Sequence, residues 1–258
     1  MTDTKPDTTP AVLIEKLDKS FGDNHVLKGL DLTVPAGVVY ALLGANGAGK
    51  TTTISILTTL LKPDSGRALV AGFDVVAQPA QVRQAITVTG QNVCVDTILT
   101  GKENLVLIAK LRHVKQPAAL ADALLKRFDL TEAGGKAVAT YSGGMKRRLD
   151  IAMSLIGDPQ VVFLDEPTTG LDPAGRREVW ATIKDLSRQG RTIVLTTQYM
   201  DEAAQLADII AVLKDGVIAV SGDHQAILDA AGSSDLESAF LNITLATSGG
   251  ATQEGEVK

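Results

Sequence analysis

An eight-residue segment, Gly44-Ala45-Asn46-Gly47-Ala48-Gly49-Lys50-Thr51, constrains the fold of this chain more than any other feature. It matches the full phosphate-binding loop pattern and lies between an apolar run, Val38 to Leu43, and a helix-like segment, Lys50 to Leu61. Glycines let consecutive backbone N–H groups turn around phosphate oxygens, and the following helix aims its positive dipole end at them. Lys50 adds a full charge, and the Thr51 hydroxyl is placed to ligate Mg²⁺. We therefore predict an α/β fold with a phosphate site after a buried strand.

Two adjacent carboxylates follow a second apolar strand. Val161 to Leu164 is wholly apolar, and Asp165 and Glu166 come directly after it. Open parallel sheets bind their ligands at the carboxyl ends of the strands, so both side chains should face the same ligand as the phosphate loop. We expect Asp165 to hold Mg²⁺, directly or through water, and Glu166 to act as the general base that activates water.

The remaining apolar runs predict the rest of the layout. An antiparallel hairpin is predicted near the N-terminus, over Val12 to Leu17 and Val26 to Val34. Further buried strands are predicted at Ile86 to Thr89 and Ile193 to Leu195. The segment Lys102 to Phe128 is helical in pattern and broken near Pro117. Further along the chain, a helix is predicted over 174–188 and a second hairpin over 209–220.

Composition excludes several classes of protein. The chain has 258 residues, with 25 Lys and Arg against 30 Asp and Glu and a net charge of −5, which argues against a nucleic-acid partner. Gly or a charged residue interrupts every apolar stretch before the 18 or more needed to span a bilayer. The polar segment Met1 to Pro10 lacks the apolar core of a signal peptide, so we expect a cytoplasmic location. The single cysteine, Cys94, excludes an internal disulfide.

A Ser-Gly-Gly turn, Ser142-Gly143-Gly144, precedes a helical run from Lys146 to Ile156. Alone it fits a plain helix N-cap. It stands, however, about twenty residues before the carboxylate strand, and five motifs follow one another in a fixed order. In that order the chain resembles the nucleotide-binding subunits of ATP-binding cassette (ABC) transporters. The five motifs are Gly44 to Thr51, Gln91, Ser142-Gly143-Gly144, Asp165-Glu166 and Gly170-Leu171-Asp172.

The resemblance covers roughly Val12 to Ala230 and implies a P-loop NTPase (RecA-like) core. An N-terminal antiparallel β-subdomain and a helical signature subdomain, about residues 92–155, would complete an ATPase domain over residues 11–246. Residues 1–10 are expected to be disordered and residues 247–258 to form a flexible tail.

The same resemblance assigns roles to the site residues. ATP held by the phosphate loop and Thr52 would meet the signature turn, Ser142-Gly143-Gly144, of a second subunit. Phe21 would stack on adenine, although it also fits a turn aromatic packed on the hairpin. Gln91 would reach Mg²⁺ or the attacking water, the alternative being a capping role. Asp172 would lie at the dimer seam, and it also suits a helix N-terminus before proline.

One departure from the family stands out. Most such ATPases carry a histidine after the strand at Ile193, whereas this chain has Gln198. Together with the segment Thr140 to Asp150, this glutamine makes the chain similar to the daunorubicin/doxorubicin-resistance ATPases. The tail segment Leu236 to Phe240 also resembles that branch. We therefore count Gln198 with Glu166 as catalytic.

Taken together, the resemblance implies a homodimeric, Mg²⁺-dependent ATPase that powers efflux of a drug or another hydrophobic compound. It would sit on the inner face of the cell membrane, bound to a separate integral-membrane permease of the ABC-2 type. Alternatives are a soluble ATP-gated clamp without transport, an exporter of lipid or polysaccharide, and an importer subunit. A P-loop kinase or GTPase gives no reason for the Ser-Gly-Gly turn. The charge run Lys146-Arg147-Arg148 is interpreted as a solvated helix face, the alternative being that one of its members helps to neutralise phosphate. Cys94 is interpreted as a packed or exposed thiol without metal-ligand spacing.

Overall fold

The computed structural model describes residues 9–245. It contains ten strands: β1 (Val12–Phe21), β2 (Asn24–Val34), β3 (Val39–Leu43), β4 (Ser65–Val70), β5 (Phe73–Asp74), β6 (Ile86–Thr89), β7 (Val161–Asp165), β8 (Thr192–Thr197), β9 (Ile209–Lys214) and β10 (Val217–Gly222). The α-helices are α1 (Lys50–Leu57), α2 (Pro79–Ala85), α3 (Gly101–Leu111), α4 (Pro117–Arg127), α5 (Gly143–Ser154), α6 (Pro173–Arg188), α7 (Met200–Leu206), α8 (His224–Ala231) and α9 (Leu236–Leu245).

A six-stranded sheet forms the centre, in the order β10-β9-β3-β8-β7-β6. Strands β9, β3, β8, β7 and β6 run parallel, and β10 closes one edge antiparallel through a hairpin with β9. Every residue of β3, β7 and β8 is buried, as expected for strands covered on both faces. The predicted α/β class and the hairpin over 209–220 are confirmed.

A four-stranded antiparallel sheet, in the order β2-β1-β4-β5, packs against one face of the central sheet. β1 and β2 form the predicted N-terminal hairpin, with Val12 opposite Val34 and Phe21 opposite Asn24 at the turn. The alternation of side chains along β3 divides the interior into two cores. Tyr40 and Leu42 face the core shared with this antiparallel sheet.

The second core lies on the other face of the central sheet. Val39, Ala41 and Leu43 face it, together with apolar residues of α3 to α9. The chain between β6 and β7 is mainly helical, as its composition predicts, and it contains α3, α4, a 3₁₀ turn at Val138–Thr140 and α5. α3 begins in a capping box between Thr100 and Glu103, which satisfies two backbone donors at the helix start.

Two expectations about chain segments need comment. The helix after the phosphate loop ends at Leu57 rather than continuing to Leu61, because Thr59 has a left-handed backbone (φ 65°) that an α-helix does not accommodate. Residues 1–8 and 246–258, which hold most of the expected disordered N-terminus and all of the flexible tail, lie outside the described residues. Across residues 9–245, no helix combines the length and apolarity needed to cross a lipid bilayer.

Candidate functional site

The loops that carry the phosphate-binding motif, the two carboxylates and Gln198 lie at one edge of the central sheet. β3, β8, β7 and β6 are parallel neighbours, so the loops that follow them leave the same edge. These loops begin at Gly44, Gln198, Glu166 and Gly90, and the register places Leu43 opposite Thr197. Motifs separated by more than a hundred residues in sequence therefore meet at this edge.

The phosphate loop runs from Gly44 through Ala45, Asn46, Gly47 and Ala48 to Gly49, and α1 begins at Lys50. Gly47 and Gly49 have φ of 82° and 109°, and a Cβ at Gly49 would lie 2.8 Å from the side chain of Leu27. Glycine is therefore required at residue 49 by both backbone conformation and space. The loop delivers its backbone N–H groups to the start of a helix, which is the arrangement that attracts phosphate.

Lys50 lies inside this loop and is only 4% exposed. Its Nζ atom donates hydrogen bonds to the carbonyls of Gly44, at 2.8 Å, and Ala45, at 3.2 Å, and it lies 3.6 Å from Oε1 of Glu166. Burial lowers the pKa of Lys50, while the charges of Glu166 and Asp165 act in the opposite direction. Lys50 is thus held by two carbonyls of the phosphate loop and by the carboxylate of Glu166.

Asp165 ends β7 and faces two hydroxyl groups. Thr196 Oγ1, on the neighbouring strand, donates to Asp165 Oδ1 at 2.5 Å, and Thr51 Oγ1 lies 3.5 Å from the same oxygen. Sequence analysis missed Thr196, because only the parallel register of β7 and β8 brings it opposite Asp165. The carboxylate and the Thr51 hydroxyl together present hard oxygen donors of the kind that Mg²⁺ prefers.

Glu166 follows directly with a left-handed backbone, φ 47°. Its N–H donates to the backbone carbonyl and to Oγ1 of Thr196, both at 3.1 Å. The Thr169 hydroxyl donates to Oε2 of Glu166 at 3.1 Å. Thr196 therefore fixes the backbone, and the carboxylate is held between Thr169 and Lys50 where it lines the pocket.

A pocket of about 370 Å³ opens between the phosphate loop and Glu166. Phe21 lies on its wall with half of its surface exposed, and the Nζ atom of Lys19 lies 5.5 Å from the centre of the Phe21 ring. The pocket lining includes the phosphate-loop residues, the carboxylate and the predicted Gln91. The lining residues are Phe21, Asn24, Val26, Asn46, Gly47, Gly49, Lys50, Thr51, Thr52, Gln91 and Glu166.

The signature turn lies in a different pocket, of about 330 Å³. Ser142 Oγ accepts from the backbone N–H of Met145 and caps α5, and Asp172 Oδ1 accepts from Gly175 N–H and caps α6. The capping alternatives for Ser142 and Asp172 are therefore both present, and both side chains line this pocket with Gly143 and Gly144. Within the described residues, the two pockets have no lining residue in common.

Gln198 follows β8 immediately and is half-buried. Among the described residues, it is not one of those that line either pocket. The structure therefore places Gln198 at the end of β8, between the strands that lead to the phosphate loop and to Glu166.

The interpretation of Lys146-Arg147-Arg148 as a solvated face is wrong for two of its members. Arg147 is 2% exposed and Arg148 is 8% exposed, because loops from distant parts of the chain pack over this face of α5. A pattern of charges within one helix carries no information about those loops. Cys94 has an exposed side chain, in keeping with one of its two interpretations.

A further buried group was not predicted. Glu202, on α7, is completely buried, and its Oε1 accepts hydrogen bonds from Thr168 Oγ1, at 2.7 Å, and from Trp180 Nε1, at 3.0 Å. Burial raises the pKa of Glu202, and its hydrogen bonds oppose that rise. No pattern in the sequence marks this residue.

The fold and this sheet edge define a P-loop NTPase. The model of the ABC transporter family matches residues 27–169. Over 214 residues the chain is 50% identical to the daunorubicin resistance ATP-binding protein DrrA3 of Streptomyces coeruleorubidus, covering 82% of this chain and 68% of that protein. Over 215 residues it is 40% identical to the Nod factor export ATP-binding protein I of Burkholderia lata, covering 83% and 71%.

Among solved structures, the chain is similar to cbiO1 from Clostridium perfringens, described as part of the ABC transporter complex cbiONQ. The TM-score is 0.76 at 26% identity, covering 86% of this chain and 94% of that one. The chain belongs to the ABC transporter ATP-binding family. It is therefore an ATP-binding subunit, of a family whose members are ATPases coupled to transport.

Proposed function

We propose that this chain hydrolyses ATP as a head-to-tail homodimer and thereby drives export through a separate permease. The observation that carries the proposal is the division of the predicted site between two pockets of one chain, one at the phosphate loop and one at Ser142. A second copy can supply the missing half of each site. The N-terminal end of α5, with its glycine N–H groups and positive dipole end, suits the terminal phosphate of the partner's ATP.

Each residue around the phosphate loop then has a chemical task. Lys50 neutralises phosphate charge, Phe21 offers a flat face to the adenine ring, and Glu166 accepts the proton of the attacking water. Gln198 orients the terminal phosphate from the end of β8, and Asp172 lies at the seam between subunits. The roles rest on positioning and charge neutralisation, which supply most of the catalysis in phosphoryl transfer.

A divalent cation fits this set of residues. Residues 9–245 contain no cluster of three or more His, Cys, Asp or Glu that could hold a metal ion by themselves. Thr51, Asp165 and Gln91 instead offer oxygen donors beside the phosphate loop, and Mg²⁺ commonly completes its shell with phosphate oxygens and water. Bound there, Mg²⁺ would neutralise charge that develops on the phosphates.

The cargo is proposed from the relatives. The 50% identity to a daunorubicin resistance protein supports efflux of a drug or another hydrophobic compound. The similarity to a Nod factor export protein keeps export of a lipid or polysaccharide as the second candidate. We assign the chain to the cytoplasmic face of the membrane, bound to a permease of the ABC-2 type, and residues 92–155 to a helical subdomain that transmits motion to it.

Reconstitution tests this proposal. The chain and its permease are prepared together in inside-out membrane vesicles. Uptake of daunorubicin into these vesicles is followed by its fluorescence, with and without ATP. ATP-dependent uptake that is lost in Glu166→Gln vesicles is expected. ATP hydrolysis without daunorubicin uptake would favour the second cargo class, and failure of the chain to bind permease-containing vesicles would favour a clamp without transport.

A further inference from the structure

Arg147 is a cationic side chain enclosed in the protein interior. It lies in the second turn of α5, the helix that begins at the signature turn, and only 2% of its surface is exposed. Enclosing a guanidinium costs considerable free energy unless its donors are satisfied. Its five N–H groups must therefore find acceptors within the protein.

The acceptors are mainly backbone carbonyls of the catalytic edge. Arg147 Nε donates to the carbonyl of Pro167 at 2.7 Å, and Nη1 donates to the carbonyl of Gly90 at 2.7 Å. Nη2 reaches the carbonyls of Asp165, at 3.4 Å, and Glu166, at 3.3 Å. One side chain from the signature helix thus contacts the turn that carries both carboxylates and the residue just before Gln91.

One carboxylate balances the charge. Asp150, one turn further along α5, lies with Oδ2 at 3.3 Å from Arg147 Nη1, and its Oδ1 accepts from the backbone N–H of Cys94 at 3.3 Å. The same ion pair therefore contacts the loop after Gln91 as well. The guanidinium and its counterion together join α5 to two loops, the one that carries Gln91 and the one that carries Glu166.

We propose that Arg147 is a positioning residue that fixes Glu166 and Gln91 relative to the signature helix. Its contacts are to backbone atoms, so it acts through the loops and does not touch nucleotide. A movement of α5 transmitted from the helical segment displaces both loops together, which links the state of that segment to the position of the general base. The catalytic part of this inference rests on the proposed function.

The test compares Arg147→Lys and Arg147→Met with Arg191→Lys in the full chain. A lysine keeps the charge but has one ammonium group, which cannot reach Gly90, Pro167 and the two carboxylate residues together. Methionine keeps similar bulk without a charge to bury, which covers the case in which the lysine variant fails to fold. Arg191 is the matched control, since it also donates to a backbone carbonyl, that of Pro159, but precedes β8 at the opposite edge.

Steady-state kinetics give the first readout. We expect kcat for ATP to fall by about 10²-fold in the Arg147 variants, since a displacement of about 1 Å can have this effect. The affinity for ATP, measured by fluorescent nucleotide, should stay within about twofold of the wild type. Unchanged kcat, or a loss of affinity with kcat retained, would overturn the assignment.

Hydrogen exchange gives a second readout that does not depend on turnover. In the nucleotide-free chain, amides of residues 90–93 and of residues 165, 166, 168 and 169 should exchange about tenfold faster in the Arg147 variants, while residues 44–52 stay unchanged. Equal exchange in Arg147 and Arg191 variants would overturn the proposal. If the wild type hydrolyses no ATP, the proposed function fails, and this exchange result still decides the role of Arg147.

Discussion

The Nζ atom of Lys50 lies 3.6 Å from Oε1 of Glu166, and both side chains are almost sealed from solvent. The cation proposed to hold phosphate and the carboxylate proposed to activate water thus neutralise each other in the nucleotide-free chain. Nucleotide must compete with Glu166 and with two loop carbonyls for this ammonium group. We therefore expect a bound phosphate to take this ammonium group from Glu166 and to leave the carboxylate free.

Lys50→Ala should weaken ATP binding. A hydrogen bond to a charged group contributes about 1.5–3 kcal/mol, which corresponds to a loss of about tenfold or more in affinity. The dissociation constant is measured by titration with a fluorescent ATP analogue. Lys62→Ala, which removes an exposed lysine beyond α1, is the control. Equal affinity in the two variants would remove Lys50 from the phosphate site.

Glu166→Gln should retain nucleotide but stop turnover, because the amide keeps the shape of the carboxyl group and accepts no proton from water. Loss of a general base lowers kcat by about 10²–10⁴-fold. An ATP-bound dimer should then accumulate and elute early in size-exclusion chromatography. Glu15→Gln, on β1, should behave as the wild type. Phosphate release by Glu166→Gln at the wild-type rate would contradict the assignment of Glu166 as the general base.

Mixed dimers should reveal a composite site. Lys50→Ala and Ser142→Arg each inactivate a homodimer, but a dimer with one chain of each kind regains one intact site. The pair is held together by the permease or by a tether, and ATPase activity is compared with that of both tethered homodimers. Activity no higher than that of the homodimers would count against a site shared between two chains.

The order of the motifs predicted correctly that the phosphate loop and Asp165-Glu166 lie at the same edge of the sheet. Short apolar runs before Gly44 and Asp165 indicated buried parallel strands, and parallel strands place their carboxyl ends together. These local patterns therefore carried long-range information. Contacts such as those of Thr196 and Arg147 were not predictable, because they depend on strand register and on loops that pack from far along the chain.

The spacing of apolar residues also failed to predict where helix α1 ends. Leu60 and Leu61 extend the apolar spacing of α1, yet the helix ends before them. Thr58 still donates its backbone N–H to the carbonyl of Ile54, which its hydroxyl also contacts, and the backbone of Thr59 then turns left-handed. The spacing of apolar residues carries no information about this change of backbone conformation at Thr59, so it could not place the end of α1.

Gln198→Ala should lower turnover far more than ATP affinity. An amide can donate to phosphate and accept from water, and this contact matters most as charge develops on the transferred group. Steady-state ATPase measurements with the permease give kcat and KM, and Gln205→Ala on the exposed face of α7 is the control. Gln198→His should stay active and gain a pH dependence between about 6 and 7. Wild-type turnover in Gln198→Ala would show that the residue has no catalytic role.

Glu202→Gln should change how stability depends on pH. Because burial raises the pKa of Glu202 above its ordinary value of 4.5, the folded chain retains this proton at pH values where the unfolded chain has lost it. Stability contributed by the protonated group is therefore present at low pH and declines as pH rises. The glutamine does not titrate, and its amide oxygen can accept both hydrogen bonds.

The free energy of unfolding of Glu202→Gln should therefore rise relative to the wild type as pH increases above 4.5. Urea unfolding followed by fluorescence of Trp180, the single tryptophan, measures the difference. Glu237→Gln, an exposed change on α9, should show no such trend. A difference that shrinks as pH rises would contradict the assigned direction of the pKa shift.

At Glu166, the left-handed backbone lowers stability at the same position that carries the proposed general base. An ordinary side chain in that conformation costs about 1–2 kcal/mol, a penalty that glycine avoids and asparagine reduces. Glycine or asparagine at this position would relieve that cost, but neither offers a carboxylate to the buried ammonium group of Lys50 or to the proposed attacking water. A substitution that relieves the backbone strain at Glu166 would therefore also remove the partner of Lys50 and the proposed general base.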